Sequence, residues 1–424
     1  MRLTNSPNKK FLGAMAVAAS SALVLTGCSG GSDDSSGGGD AGDGTLTIGV
    51  LGITEGSLAF AMDETERAIE IAMQAYGGDS SGGTVGDVEV EFIYEGTDGT
   101  SGTAQTKAKK LVENDDVDIV FGPVSGDEGE AVVQYALTVP DKTFVISAAS
   151  PVGLTLEGAT NVYRFFGDSA MWMGGVGTYA HDDKGYENIY LIAEDYSFPY
   201  DNAGGFFSEF CDAGGEITGT SWVPVGTTDY ATIISTIPDE TDAVYVGLGG
   251  ADAASFLSQA VTAGVAKPLV GGTIAVDTTA LSGDSNLAGA AAGMIAGGPV
   301  PGAGYDNPNW VEFSDAYTAL TDEFPSPGIF AILPYNSIVP LLMGIEATGA
   351  DLGADQADLQ SALSATDWDS PTGNITVDEN NQGIIDNFIV EVTADGDALG
   401  LNTISEATGV SQGTVTYDRF DTCP

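Results

Sequence analysis

Three cysteines, one histidine and a large excess of carboxylates are the residues from which this 424-residue chain could build chemistry. A nucleophilic hydrolase needs a general base, most often His. The single His181, in YAHDDKGY, sits at the end of a helical stretch and reads as a surface C-terminal cap. There is no GxSxG elbow and no GxxxxGKS/T phosphate loop. GLGGAD (247–252) opens like a dinucleotide loop but lacks the third glycine and an acid ending the next strand, so it reads as a close-approach turn. DEN (378–380) lacks the twelve-residue loop and closing Glu of a calcium site and reads as a hairpin turn. Adjacent carboxylates such as Glu194–Asp195 are common in so acidic a chain and carry little catalytic weight. No CxxC or Cys/His cluster occurs, so no metal site is expected. The expectation is a chain that is not an enzyme and carries no cofactor.

Cys28 has a different role. A basic start (Arg2, Lys9, Lys10) precedes an apolar stretch, Phe11 to Leu25, of about fifteen residues, short of the roughly twenty that span a bilayer. Leu25-Thr26-Gly27-Cys28 then looks like a bacterial lipobox. Residues 1–27 read as a lipoprotein signal peptide, Cys28 as the lipidation site and 28–44 as a flexible tether. Composed almost wholly of Ser, Gly, Asp and Ala, that tether has nothing apolar to offset its ordering entropy. The expected location is the extracytoplasmic face of the cell membrane, anchored by lipid. Such a compartment permits disulfides, so Cys211 and Cys423 are either a pair or two free thiols.

The formal net charge of −49 repels nucleic acid and anionic headgroups. Removing the leader takes away three of the 12 Lys and Arg and no acid, so the remainder is more negative still. Its even spread favours an adaptation to high salt over a cation-binding surface.

Residues 45–424 are too many for one ordinary core and suit two lobes. LTIGVLG (46–52), VEVEFIYEG (88–96), VDIVFGPVSG (117–126) and TFVISAAS (143–150) read as strands, with helices around Ile69–Tyr76, 103–115 and 129–139 between them. The rhythm restarts after Arg164. NIYLIAED, ITGTSWVPV, DAVYVGLGG, PLVGGT and GMIAGGPV are strands, alternating with helices near 206–215 and 251–264. Helices follow at about 309–323, 330–348 and 355–365, then two strands, GNITVD and DNFIVEV, joined by ENNQG. The class is α/β with parallel sheets. Ligands in such sheets bind beyond the carboxyl ends of the strands. Those ends are rich in Gly, Ser and Thr and poor in catalytic groups, which is the equipment of a binder.

From Leu46 to Val392 the order of motifs resembles the type I periplasmic binding proteins, and within them the branched-chain amino-acid (Leu/Ile/Val) branch of ABC importers. LTIGVLG, KKLVENDDVDIVFGPVSG, FVISAASPVGLT, NVYRFFGDS, YLIAEDYSFPYDNAGGFF, WVPVGTTDYATIISTI, DAVYVGLGGADAASFLSQA and PLVGGT carry the resemblance in sequence. It implies two Rossmann-like lobes joined by a three-strand hinge, with crossovers near 166, 297 and 385. Lobe 1 would be 45–165 plus 297–385, and lobe 2 would be 166–296 plus 386–424. The tail would return to the lobe holding Cys211, implying a Cys211–Cys423 disulfide. The implied partners are a small solute in the interlobe cleft and ABC permease subunits, with the receptor a monomer; a ligand sensor is the alternative. The implied ligand residues are Ser125 and Gly126 (a second serine in the family), Ala148 and Ser150, and Phe198. Phe60 and Trp172 are further candidate walls, with core packing as the other reading. The acid that would neutralise a ligand's ammonium falls at Thr273. A threonine there leaves Asp195 or Asp277 to substitute, or a ligand without an ammonium: an amide, urea or an organic acid.

Overall fold

The computed structural model describes residues 44–265, 267–276, 281, 284–321, 326–412 and 423. The signal segment, Cys28, the tether up to residue 43 and Asp277 lie outside these described residues. β1 (Thr45–Ile53) is buried along nearly its whole length, as a strand covered on both faces must be. It pairs in parallel with β3 (Val88–Thr97) on one side and β4 (Ile119–Phe121) on the other. β5 (Thr143–Val145) and β6 (Val162–Tyr163) extend the sheet in parallel, and β2 (Gly82–Val85) closes the far edge antiparallel to β3. The order is β2-β3-β1-β4-β5-β6. Helices α1 (Ala61–Gln74), α2 (Ser101–Glu113) and α3 (Gly126–Ala136) form the crossovers.

A second sheet begins after α4 (Val176–Asp182). β7 (Asn188–Glu194), α5 (Ser197–Asp212), β8 (Glu216–Val223), α6 (Ala231–Thr236), β9 (Ala243–Gly247), α7 (Gly250–Ala263), β10 (Leu269–Gly271), α8 (Ser285–Ala291) and β11 (Ile295–Gly298) follow. The chain then returns to the first sheet. α9 (Pro308–Leu320) and α10 (Ile329–Thr348) pack there, with Ile338, Leu341 and Ile345 buried beside Ile69 and Met73 of α1. Burying each such side chain contributes about 1.5–3 kcal/mol. α10 is long and apolar enough to cross a membrane, but 67% of its apolar window is buried within the protein. α11 (Ala357–Ser364), β12 (Asp367–Ser370) and β13 (Gly373–Val377) lead to β14 (Gly383–Asp395). β14 starts against β13 and continues antiparallel to β11, so this strand leads the chain back to the second sheet. That sheet runs β12-β13-β14-β11-β10-β9-β7-β8, with β15 (Ala398–Val410) paired to β14. Cys211 of α5 and Cys423 are joined by a disulfide, Cα atoms 5.5 Å apart.

The late strand pair of the sequence reading is corrected, and the bounds of two further elements, a strand ending in a Gly/Pro/Ser turn and a helix ended by FFSEFCDAGG, are made definite. The late strand pair is longer: β14 runs to Asp395, and a thirteen-residue β15 follows it. Its polar, mostly accessible residues give β15 no apolar alternation to read. The strand at 117–126 is only three residues long, because Gly122 turns out of it at φ +123, where a Cβ would lie 2.4 Å from the Leu51 carbonyl. The helix near 206–215 begins earlier, at Ser197. Its Pro199 lies in the first turn, where no N–H is needed. Gly205 lets the helix approach the Ala170 carbonyl, since a Cβ there would come within 2.2 Å of it.

Candidate functional site

The carboxyl ends of β4 and β5 are built from polar groups that hold one another. Ser125 is the N-cap of α3 and forms a capping box with Glu128. Its Oγ accepts from the Glu128 N–H and donates to the Gly99 carbonyl at 3.1 Å, so the hydroxyl ties the loop after β3 to α3. Gly126 follows it. A Cβ there would lie 2.9 Å from Pro151 Cγ and 3.8 Å from Ser197 Oγ, so Pro151 fills the space a second serine would need. The Ala148 N–H donates to the Pro123 carbonyl, which also accepts from Ser147 Oγ at 2.9 Å.

Ser150 joins this end to the second sheet. Its carbonyl accepts from the N–H and the Oγ of Ser169 at 2.9 and 3.0 Å. The Ser169 carbonyl accepts from Asn202 Nδ2 at 2.8 Å. The same amide donates to Thr273 Oγ1 at 3.0 Å, and Asn202 Oδ1 accepts from the Thr273 N–H and the Tyr245 hydroxyl. Thr273 Oγ1 donates to the Gly297 carbonyl at 2.8 Å. Ser150 and Thr273 are thus linked by two residues the sequence reading missed, Ser169 and Asn202. Both sit in quoted segments, but nothing in their spacing marks them as connectors.

Arg164 is the second omission. It is fully buried, donating from Nε to Gln382 Oε1 at 2.6 Å and from Nη1 to the Pro151 carbonyl at 2.7 Å. Nη2 faces Asp168 Oδ2 at 3.8 Å. Burial lowers its pKa to about 10, so the guanidinium remains charged at neutral pH. Arg164 holds the loop that carries Ala148 and Ser150 against the start of β14. A lone Arg between apolar residues in NVYRFFGDS was the available signal, because a buried charge requires partners.

The aromatic candidates divide. Trp172 (2% exposed) and Phe198 meet with ring centroids 6.0 Å apart, and the buried Trp172 Nε1 has no hydrogen-bond partner. Phe60 stands edge-on to Phe330 at 5.4 Å. Asp195, offered as a substitute acid, is an exposed carboxylate that accepts from the Tyr200 hydroxyl. A different acid occupies the strand ends. Glu194, the last residue of β7, is 5% exposed and accepts from the Gly249 N–H at 3.4 Å. Burial, with the nearby Asp252 carboxyl adding to it, raises its pKa to about 7.

Residues 45–397 match the family model described as periplasmic binding protein. The chain belongs to the periplasmic binding protein family. Among curated relatives, "Leu/Ile/Val-binding protein homolog 6" of Brucella melitensis is 24% identical over 362 residues, covering 83% of this chain and 88% of that protein. Among solved structures, an ABC transporter substrate-binding protein from Sphaerobacter thermophilus superposes with TM-score 0.78 at 24% identity, covering 87% of this chain and 99% of the other. A solute-binding protein of an ABC transporter from Rhodopseudomonas palustris, in complex with 3,4-dihydroxybenzoic acid, superposes with TM-score 0.75 at 22% identity, covering 87% and 99%. These likenesses show the type I fold.

Proposed function

We propose that this periplasmic binding protein is the solute receptor of an ABC importer, anchored by lipid at Cys28 on the extracytoplasmic face and working as a monomer. It captures an amino acid or a related small polar solute between two lobes, 45–165 plus 297–385 and 166–296 plus 386–424. The observation that carries this reading is the Ser150–Ser169–Asn202–Thr273 path, which couples the strand ends of both sheets in a chain matching the family over residues 45–397. Ser125, Gly126, Ala148, Ser150, Phe198, Thr273, Phe60 and Trp172 line the cleft in this reading. The Trp172 indole N–H supplies a donor for the solute. Closure about the crossovers buries the solute, and the permease reads the closed form.

A second reading, a receptor for organic acids, amides or urea, is favoured by Thr273 standing where an ammonium-binding acid is expected. The deciding experiment is a thermal-shift panel on the full chain in detergent, at high and low salt, with aliphatic amino acids, amides, urea and small carboxylic acids. A ligand at a hundred times its dissociation constant stabilises by about 2.7 kcal/mol, which raises the melting temperature measurably. No shift with any of these solutes would sink the receptor reading.

A further inference from the structure

Thr273 carries no charge, and its hydroxyl is already engaged with Asn202 and Gly297. One residue on, Ile274 packs against Gly249, where a Cβ would lie 3.2 Å from Ile274 Cδ1. Gly249 donates its N–H to Glu194 Oε1. Gly249 thus connects the Glu194 carboxyl to the residue that follows Thr273. Asp252, in the first turn of α7 and 8% exposed, accepts from the Gly226 N–H at 2.7 Å and lies close enough to Glu194 to add to the rise in its pKa.

Two tyrosines complete the group. Tyr230 is wholly buried, and its hydroxyl has no hydrogen-bond partner although it lies in the field of both Asp252 and Glu194. A buried hydroxyl without a partner is costly, and beside two acids it marks room for a donor. Tyr196 follows Glu194 by two residues and stays 38% exposed; burial of its hydroxyl and the nearby Glu194 carboxyl push its pKa up.

The described cations do not answer these acids. Lys142, Lys184 and Lys267 precede β5, β7 and β10, at the opposite ends of the strands. Lys107 and Lys110 bond Glu95, and Arg67 bonds Glu64. Arg164 is held by Gln382 and the Pro151 carbonyl. Among the described residues, the strand ends of the second sheet thus offer buried carboxyls without a counter-charge. A purely anionic solute would meet repulsion there, and a solute with an ammonium would meet acceptors.

We propose that Glu194 and Asp252, with the Tyr230 hydroxyl, form the subsite for the solute's primary ammonium, and that the solute class is therefore amine-bearing. The proposal rests on the solute-receptor reading. On binding, the ammonium donates to both carboxylates and to the Tyr230 oxygen, and the proton that burial favours on Glu194 leaves to solvent. Glu194 and Asp252 replace the acid absent at Thr273.

The test uses the full chain in detergent, titrated calorimetrically and by thermal shift at fixed ionic strength. The probes are the natural amino acids, 4-methylpentanoate (leucine without its ammonium), 3,4-dihydroxybenzoate, and KCl and NH4Cl against NaCl. The expected result is stabilisation by one or more amino acids and none by the two carboxylates. Glu194→Gln and Asp252→Asn should each weaken that amino acid by about 10- to 100-fold with the ligand-free circular dichroism unchanged. Should either variant fail to fold, the unsubstituted chain still decides. Binding at pH 7 should release a fraction of a proton, read as a difference in heat between phosphate and Tris buffers, and no release overturns the proposal. Amino-acid affinity within about threefold of the unsubstituted chain in both variants also overturns it. A shift with carboxylates alone, or with KCl or NH4Cl alone, overturns it as well; the carboxylate case leaves the receptor reading standing. No shift with any solute defeats both.

Discussion

The strand ends of the first sheet and those of the second solve the burial of polar groups in opposite ways. In the first, Ser125, Ser147, Ala148 and Ser150 direct their polar atoms to partners within the chain, and Arg164 is set against Asp168, Gln382 and backbone carbonyls. In the second, Glu194 lies near Asp252 with no cation beside them among the described residues, and the Tyr230 hydroxyl has no partner. Burying a polar group without a partner costs about 1–3 kcal/mol. The first region pairs most of its groups, leaving Arg164 Nη2 only an ion pair at 3.8 Å, and is scaffold; the second keeps its carboxyls and the Tyr230 hydroxyl less fully answered. The difference separates a surface that shapes a cleft from one with interactions still to make.

The comparison is broken most severely at Arg164. Arg164→Met removes a buried cation and strands Asp168 and the Pro151 carbonyl, so unfolding in urea should show a loss of about 3–5 kcal/mol. A loss under about 1 kcal/mol would show that the first region does not depend on its internal pairing. Asn202→Ala cuts the path between the regions, leaving the Thr273 N–H and the Ser169 carbonyl without their partner. It should cost about 2–3 kcal/mol by the same measurement. An unchanged midpoint would mean that the two sheets are held together without this path.

A pH-dependent effect sharpens the second region. The Glu194 pKa is raised from 4.5 to about 7. Between these values the folded chain keeps a proton that the unfolded chain has lost. Stability from this group is therefore present in full below about 4.5 and falls as pH rises to about 7. The ligand-free chain should lose on the order of 3 kcal/mol across that window from this group, and Glu194→Gln should remove that part of the slope. Matching pH profiles for the two chains would contradict a strained carboxyl at the end of β7.

Much of the fold was legible in the sequence. Apolar β-branched runs alternating with helix-spaced apolar residues specify parallel α/β units, because buried strands and one-sided helices leave different periodicities. LTIGVLG, NIYLIAED and DAVYVGLGG show this directly, and their order was enough to reveal the family resemblance. β15 was not legible, since its polar residues are held by pairing to β14 and not by an apolar face. The absence of an acid at position 273 was also plain from the sequence alone. The tertiary structure alone decided what stands near it. Glu194 ends β7, Tyr230 caps α6 and Asp252 lies in the first turn of α7, and they come near one another only because β7, β8 and β9 lie side by side. Glu194–Asp195 read as one more acidic pair in an acidic chain, yet alternation along the backbone sends them apart: Glu194 is buried and Asp195 is exposed. Residue types set which chemistry is available, whereas burial and partners, which depend on contacts between residues distant in the chain, set which of those residues carries an unanswered charge.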